Sequence, residues 1–281
     1  MTRVLIAGCG YVGEAAANQF HARGWDVEGW TGSTESAAKL TGRPYPVRAV
    51  NIAEAIADSL AEFDVVIHCV SSRGGDEEEY RRLYLGGVRN LSAAFPDATI
   101  LFTSSTSVYA QTDGSVVDES SAAEPGHGKG QILRATEEIV RGGGGLVLRL
   151  GGIHGPGRSA IATKILRGEP TSGDPERFIN HVHRDDIVSA LLLLAERRHE
   201  HPGEIFNVVG DEPIKALEAY EWLAPRLRKS VPVAAANALA SKRGESNKRV
   251  SNRKLRALGW TPRFPTFEAA MSESILASFG F

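Results

Sequence analysis

Six residues near the start of the chain restrict its fold more than any others. Gly8-Cys9-Gly10-Tyr11-Val12-Gly13 follows the apolar run Val4-Leu5-Ile6-Ala7 and leads into an Ala-rich stretch, Glu14 to Arg23, that Gly24 closes. A short apolar run ending in glycine predicts a buried strand, and an Ala-rich stretch closed by glycine predicts a helix. Three glycines in six residues allow a turn between them that side chains would block. Such a turn leaves backbone amides at the helix N-terminus, where the helix dipole favours an anion.

The strand–helix unit recurs along the first half. Asp26–Trp30, Pro46–Val50, Asp64–His68, Thr99–Phe102 and Leu146–Leu150 read as further strands, with helical segments Glu77–Ala94 and Gln131–Arg141 among them. This alternation predicts right-handed βαβ units and an α/β fold, a doubly wound parallel sheet of the Rossmann type. The second half is less regular. Ser159–Arg167, Asp186–Arg198, Ile214–Arg228, Asn252–Leu258 and Phe267–Ser278 read as helices, and Ile205–Val209 as a returning strand. A composition shift near Gly151 predicts a nucleotide-binding domain over 1–155 and a smaller substrate-binding lobe over 156–281, with 178–210 returning to the sheet.

Composition narrows the classes. A hydrophobic content of 42% with 23% charged residues is that of a globular chain, and a net charge of −2 without a basic stripe argues against a nucleic-acid partner. The denser basic stretch from Lys242 to Arg256 reads first as a solvated surface with helix-end charges, with an anion site as the lesser alternative. No apolar run approaches the ~20 residues of a membrane span, and no signal peptide precedes the first strand. A cytoplasmic protein with no membrane partner is expected. Cys9 and Cys69 lack metal or redox spacing and read as packing residues. His181 and His183 share one face of a strand without a third ligand nearby, so no metal is expected.

The glycine pattern in this context is that of a dinucleotide site. Gly8 makes the tight turn, Gly10 admits the pyrophosphate, Gly13 lets helix pack on sheet, and Tyr11 and Val12 complete the first turn. Cofactor choice falls to the end of the second strand. Thr31 stands where an acid would bind the ribose hydroxyls of NAD, followed by Ser33. The absent carboxylate tilts the reading slightly to NADP over NAD, with no adjacent Arg to demand it. Asn51 and Ile52 would flank the adenine.

Five stretches carry a wider resemblance: Ala7 to Gly13; Thr103-Ser104-Ser105-Thr106-Ser107-Val108-Tyr109; Leu148 to Gly157; Asn180-His181-Val182-His183-Arg184-Asp185-Asp186-Ile187; and Phe206-Asn207-Val208. With them the chain resembles the extended branch of the short-chain dehydrogenase/reductase superfamily, and most closely its atypical NAD-dependent epimerase/dehydratases that lack Y-x-x-x-K. The resemblance implies a seven-stranded sheet, a cofactor across its carboxyl edge that Val70 and Ile153 also touch, and a substrate cleft under a C-terminal lobe. It implies an NAD(P)-dependent oxidoreductase or epimerase acting on a small polar hydroxyl or keto substrate of the sugar or sugar-nucleotide class. A homodimer is compatible with the sequence but not required by it.

Ser105 falls at the family's catalytic Ser/Thr position. The Asp-Glu pair that follows in dehydratases is Thr106-Ser107 here, which disfavours dehydration. The Tyr and Lys of Y-x-x-x-K are both missing. One register puts His127 and Gln131 in their places, the other Lys129 and Leu133. His127 or Lys129 is therefore the expected proton carrier. Arg73, Ser107, His154, Asn180 and His181 are the expected substrate contacts. Ser104 is expected to pack, and His183 with Asp186 to form a structural pair at a helix start. Loss of the Tyr–Lys pair leaves a second reading open, a non-catalytic NAD(P)-binding sensor or partner-binding protein.

Overall fold

The computed structural model describes residues 1–56, 62–72, 74–171, 173–233 and 246–281. Its strands in chain order are β1 (Arg3–Ala7), β2 (Asp26–Thr31), β3 (Val47–Ala49), β4 (Val65–His68), β5 (Thr99–Ser105), β6 (Val116–Val117), β7 (Leu146–Leu150), β8 (Gly152–His154), β9 (Phe178–Ile179), β10 (His181–His183), β11 (Ile205–Val208), β12 (Ile214–Lys215) and β13 (Arg249–Val250). Seven of them form one sheet in the order β11-β7-β5-β4-β1-β2-β3. The pairs from β3 to β5 are parallel, and the sheet is a mostly parallel, Rossmann-like one flanked by helices. β4 and β7 are buried throughout, as strands covered on both faces must be.

The chain divides into two compact units that interleave along the sequence. Unit 1 holds Met1–Val108, Pro125–Arg149 and Val188–Phe206; unit 2 holds Tyr109–Glu124, Leu150–Ile187 and Asn207–Phe281.

In unit 1, α1 (Tyr11–Ala22) follows β1, and α2 (Thr34–Ala38) follows β2 with Ser33 as its N-cap. The helical stretch predicted over Glu77–Ala94 forms as α3 (Glu77–Tyr80) and α4 (Gly87–Ala94), joined by a π-helical segment, Arg81–Gly86. The cause is a side chain. His68, at the tip of β4, is fully buried, and its Nε2 donates to the Leu83 carbonyl at 3.1 Å. Gly87 lies beside it with no room for a side chain, because a Cβ there would stand 2.8 Å from Ile52 Cδ1 and 3.3 Å from that nitrogen. A side chain tapping a helix carbonyl breaks the regular ladder, and a π turn absorbs the slip. Helix α5 (Gly128–Gly142) starts earlier than its sequence pattern predicts, because His127 caps it despite the glycines at 128 and 130.

In unit 2, α6 (Ala160–Arg167) is capped by Ser159 and ended by Gly168 at φ 63°. α7 (Arg184–Glu196) follows β10 and runs on into unit 1; α8 (Ala216–Arg226), α9 (Arg253–Ala257), α10 (Phe267–Ala270) and α11 (Leu276–Ser278) complete unit 2. Ile165, Leu223, Phe264, Phe267 and Met271 form its apolar core.

Against that core lie three buried histidines. β10 pairs with β8 in parallel, setting His183 opposite His154. The His154 and His181 rings are 5.0 Å apart, and those of His154 and His183 5.9 Å. His183 accepts the Asp185 amide at Nδ1, while both Asp186 oxygens accept amides, from Arg263 at 2.6 Å and Phe264 at 3.1 Å. The predicted His183–Asp186 pair is thus replaced: the backbone turn presents the neighbouring residue to the ring and leaves Asp186 to hold the 263–264 loop.

These three histidines, together with His68 of unit 1, set a pH dependence. Burial holds the His68, His181 and His183 imidazoles down to about 4, and His154 well below its usual value. The unfolded chain takes up these protons as pH falls through about 6.5, whereas the folded chain resists until about 4. Stability therefore falls with pH across that window. Burial raises Asp186 to about 6 and also raises Glu119, which act in the opposite sense. Four imidazoles outweigh two carboxyls, so Tm should drop by on the order of 5 °C between pH 7 and 5 in a calorimetric scan. A Tm that holds level or rises over that interval would contradict the buried neutral cluster.

Candidate dinucleotide and catalytic site

The turn after β1 is built by steric exclusion. Gly8 sits at φ +99°, and a Cβ on it would stand 2.5 Å from the Val70 amide nitrogen and 2.6 Å from the Cys69 carbonyl carbon. A Cβ on Gly13 would press into the Gly8 carbonyl. The Gly8 and Cys9 amides both donate to the Trp30 carbonyl, at 3.1 and 2.7 Å, and Gly10 N–H closes back on the Gly8 carbonyl at 2.7 Å. The Cys69 thiol donates to that carbonyl at 3.3 Å. Burial pushes Cys9 up to about 12 and Cys69 higher, so both thiols stay protonated and serve as packing groups.

Gly10 is different. It is exposed, it forms the N-cap of α1 with no side-chain cap, and a Cβ placed on it meets nothing within 4 Å. The protein does not need glycine here for its own packing. Room at a helix N-terminus without a capping side chain fits a pyrophosphate, which binds backbone amides at close range. Tyr11 and Val12 form the first turn behind it.

Of the other predicted cofactor residues, Thr31, Ser33, Asn51, Ile52 and Val70 lie at or just after the carboxyl ends of β2, β3 and β4 of the same sheet. Thr31 ends β2, is buried, and donates its hydroxyl to the Ser33 carbonyl at 3.0 Å. The Ser33 hydroxyl accepts the Ser36 amide. Asn51 accepts the Ala53 amide and donates to Glu54, and the buried Ile52 offers its carbonyl to Asn90. Val70 carries the backbone against which Gly8 packs. Ile153 belongs to β8 in unit 2, paired with Val182.

Ser104 and Ser105 end β5 with opposite fates. Ser104 Oγ donates to Glu137 Oε1 at 2.6 Å, in a network in which the same carboxylate accepts from Arg149 at 2.7 and 3.1 Å and from Arg134 at 2.5 Å. This network ties β5, α5 and β7 together, as the packing role expected of Ser104 requires. The half-buried Ser105 accepts the Ser107 amide at 3.1 Å, which starts a 3₁₀ turn over Thr106–Val108.

At the start of α5 the His127 ring accepts the Gly130 amide at Nδ1, 3.0 Å away. Lys129 Nζ donates to the Gly75 carbonyl at 2.5 Å and lies 5.0 Å from the Tyr80 ring centre. Gly128 is held against the Glu77 carboxylate, where a Cβ would not fit. Gln131 reaches only the Pro125 carbonyl, at 3.4 Å, and Leu133 is buried. Gly75 and Glu77, which flank Lys129 and Gly128, were not predicted site residues; the Gly74-Gly75 doublet was the available signal. Arg73 lies outside the described residues.

Of the predicted substrate contacts, Ser107 belongs to the β5 turn of unit 1, whereas His154, Asn180 and His181 belong to unit 2. His154 and His181 are buried, and His181 Nε2 lies 3.1 Å from the Glu212 carbonyl. The Asn180 carboxamide donates to the Lys248 carbonyl at 2.9 Å and accepts the Val250 amide at 2.7 Å. Among the described residues, no group of three or more His, Cys, Asp or Glu is placed to hold a metal, and no helix is long and apolar enough to cross a membrane.

The glycines predict a split in mutant behaviour. Gly13→Ala forces a side chain into backbone and should cost about 2 kcal/mol or more, read as a fall in Tm. Gly10→Trp should keep Tm within about 2 °C of the wild type while abolishing nucleotide binding. Equal destabilisation by both would contradict this division of roles.

Comparison with known proteins agrees with this arrangement. Residues 4–209 match the NAD dependent epimerase/dehydratase family. Protein YeeZ of Escherichia coli K12 is 32% identical over 224 residues, which cover 74% of this chain and 77% of YeeZ. A candidate NAD-dependent epimerase/dehydratase from Methylobacillus flagellatus superposes with a TM-score of 0.81 at 26% identity, covering 100% of this chain and 99% of that one. UDP-glucuronic acid 4-epimerase from Bacillus cereus, solved with NAD, superposes at 0.82 and 17% identity, with 99% of each chain covered, a likeness of fold. The glycine turn on its parallel sheet, the family match and the YeeZ relationship lead to one assignment: the chain belongs to the NAD dependent epimerase/dehydratase family.

Proposed function

We propose that this protein binds NADP or NAD at the glycine turn and catalyses oxidation–reduction or epimerisation of a small polar hydroxyl or keto compound, of the sugar or sugar-nucleotide class. The observation that carries the reading is Gly10, a residue whose missing side chain leaves space for a ligand and none for the protein. The nucleotide-sugar epimerases among proteins of the same fold support the substrate class.

Gly8, Gly10 and Gly13, with Tyr11 and Val12, would hold the pyrophosphate; Thr31 and Ser33 the adenosine ribose; Asn51 and Ile52 the adenine; Val70 the remaining length on unit 1. The nicotinamide, when bound, supplies the acceptor or donor of hydride. Thr31 presents no carboxylate to repel a 2′-phosphate, which favours NADP.

Ser105 is the residue to hydrogen-bond the reacting oxygen. Its oxygen takes the Ser107 amide, and its own O–H remains to donate. Between the two candidate proton carriers, local geometry favours Lys129. The His127 Nδ1 accepts an amide, so its neutral ring carries hydrogen on Nε2, and protonating Nδ1 would break the cap of α5. Lys129 has one of three N–H donors on Gly75 and two for other partners. Dehydration is disfavoured, because Thr106-Ser107 supplies no acid–base pair.

A screen of sugar and sugar-nucleotide substrates, read by NADPH oxidation and by epimer formation, tests this. With an active substrate, Ser105→Ala and Lys129→Ala should each lower kcat by ~10²–10⁴ and leave cofactor Kd within about twofold. His127→Ala should instead cost about 1 kcal/mol of stability, as loss of an N-cap does. Thr31→Asp should weaken NADP by on the order of tenfold and spare NAD. Tight cofactor binding without turnover of any compound in the screen would favour a sensor over an enzyme.

A further inference from the structure

Among the described residues, unit 2 holds one buried ammonium with no carboxylate partner. Lys248 is 4% exposed and is the only lysine buried among the described residues. Its ammonium makes one hydrogen bond, to the Tyr109 carbonyl at 2.8 Å, and forms no ion pair with a described carboxylate. Burial alone pulls it down to about 8. An ammonium has three donors, and leaving two of them dry without a counter-ion is costly.

The surrounding backbone is braced on both sides. Asn247 Oδ1 accepts the Phe178 amide at 3.0 Å, and Asn247 N–H donates to the Gln111 carbonyl at 2.9 Å. The Asn180 carboxamide clamps Lys248 and Val250, and Arg249 N–H donates to the Ser115 carbonyl at 2.8 Å as β13 pairs with β6. None of these contacts uses the Lys248 charge. A methionine would fill the same space, so packing does not explain the ammonium. A fixed, desolvated cation with free donors is what recognition of an anionic oxygen requires.

We propose that Lys248 is an anion-binding residue of unit 2, its braced ammonium taking a phosphate or carboxylate oxygen of a small-molecule ligand.

Thermal unfolding of the full-length protein tests it, with and without saturating NADPH, in inorganic phosphate, UDP or acetate against sodium chloride of equal ionic strength. At least one of the three should raise the wild-type Tm by about 3 °C or more near saturation. A response to phosphate and UDP identifies a phosphate group; a response to acetate alone identifies a carboxylate. Lys248→Met should have a Tm equal to or above that of the wild type in chloride, and should lose the response. Should Lys248→Met not fold, Lys248→Gln, which keeps a donor for the Tyr109 carbonyl, carries the same comparison. The proposal is overturned if no anion acts beyond chloride, or if the neutral variant responds as the wild type does. Failure of NADPH to bind bears on the glycine turn alone, since the anion response is also read without it.

Discussion

The contact between Gly8 and the backbone of Cys69 and Val70 is the constraint on which the rest of the site depends. It brings the tips of β1 and β4 closer than any side chain would allow. The same turn hangs on β2, because the Gly8 and Cys9 amides share the Trp30 carbonyl. Three neighbouring strand ends are thereby fixed around one loop, which ends at the exposed Gly10, the N-cap of α1. Gly13 completes the arrangement by letting the helix settle on the Gly8 carbonyl. Sterics set the frame, and the affinity for an anion follows from the amides that frame presents.

A second, electrostatic constraint holds the other half of unit 1. Glu137 is fully buried and neutralises the buried Arg149, with Ser104 and Arg134 filling its remaining acceptor sites. Such a pair contributes little net stability when complete, but removing one partner strands the other charge. Its structural effect is to fix α5 against the end of β5. Ser105 and Lys129 are carried by these two elements, so their spacing is set by a network that touches neither. Lys248 is the converse case, a buried cation with no carboxylate partner among the described residues of its unit.

Much of this was legible in the residues. The glycine turn, the strand series and the packing of Ser104 follow from periodicity and spacing, because each is a local pattern repeated along a strand or helix. What escaped was decided by partners distant in the chain. The π turn at Arg81–Gly86 arises from His68, on another strand. The pairs β6–β13, β8–β10 and β9–β12 are two or three residues long, too short to leave a periodic signal. The bracing of residues 248 and 250 by the Asn180 carboxamide likewise joins partners some 70 positions apart in the chain. The interleaving of the two units depends on contacts that a linear reading does not see, and the same is true of the isolation of Lys248.

The central claim is that the glycine turn is a nicotinamide nucleotide site, and calorimetric titration of the wild-type protein with NAD⁺, NADH, NADP⁺ and NADPH tests it most directly. The account predicts one site per chain for at least one nucleotide, with a Kd in the micromolar range, about −8 kcal/mol. Heats indistinguishable from dilution for all four would contradict it.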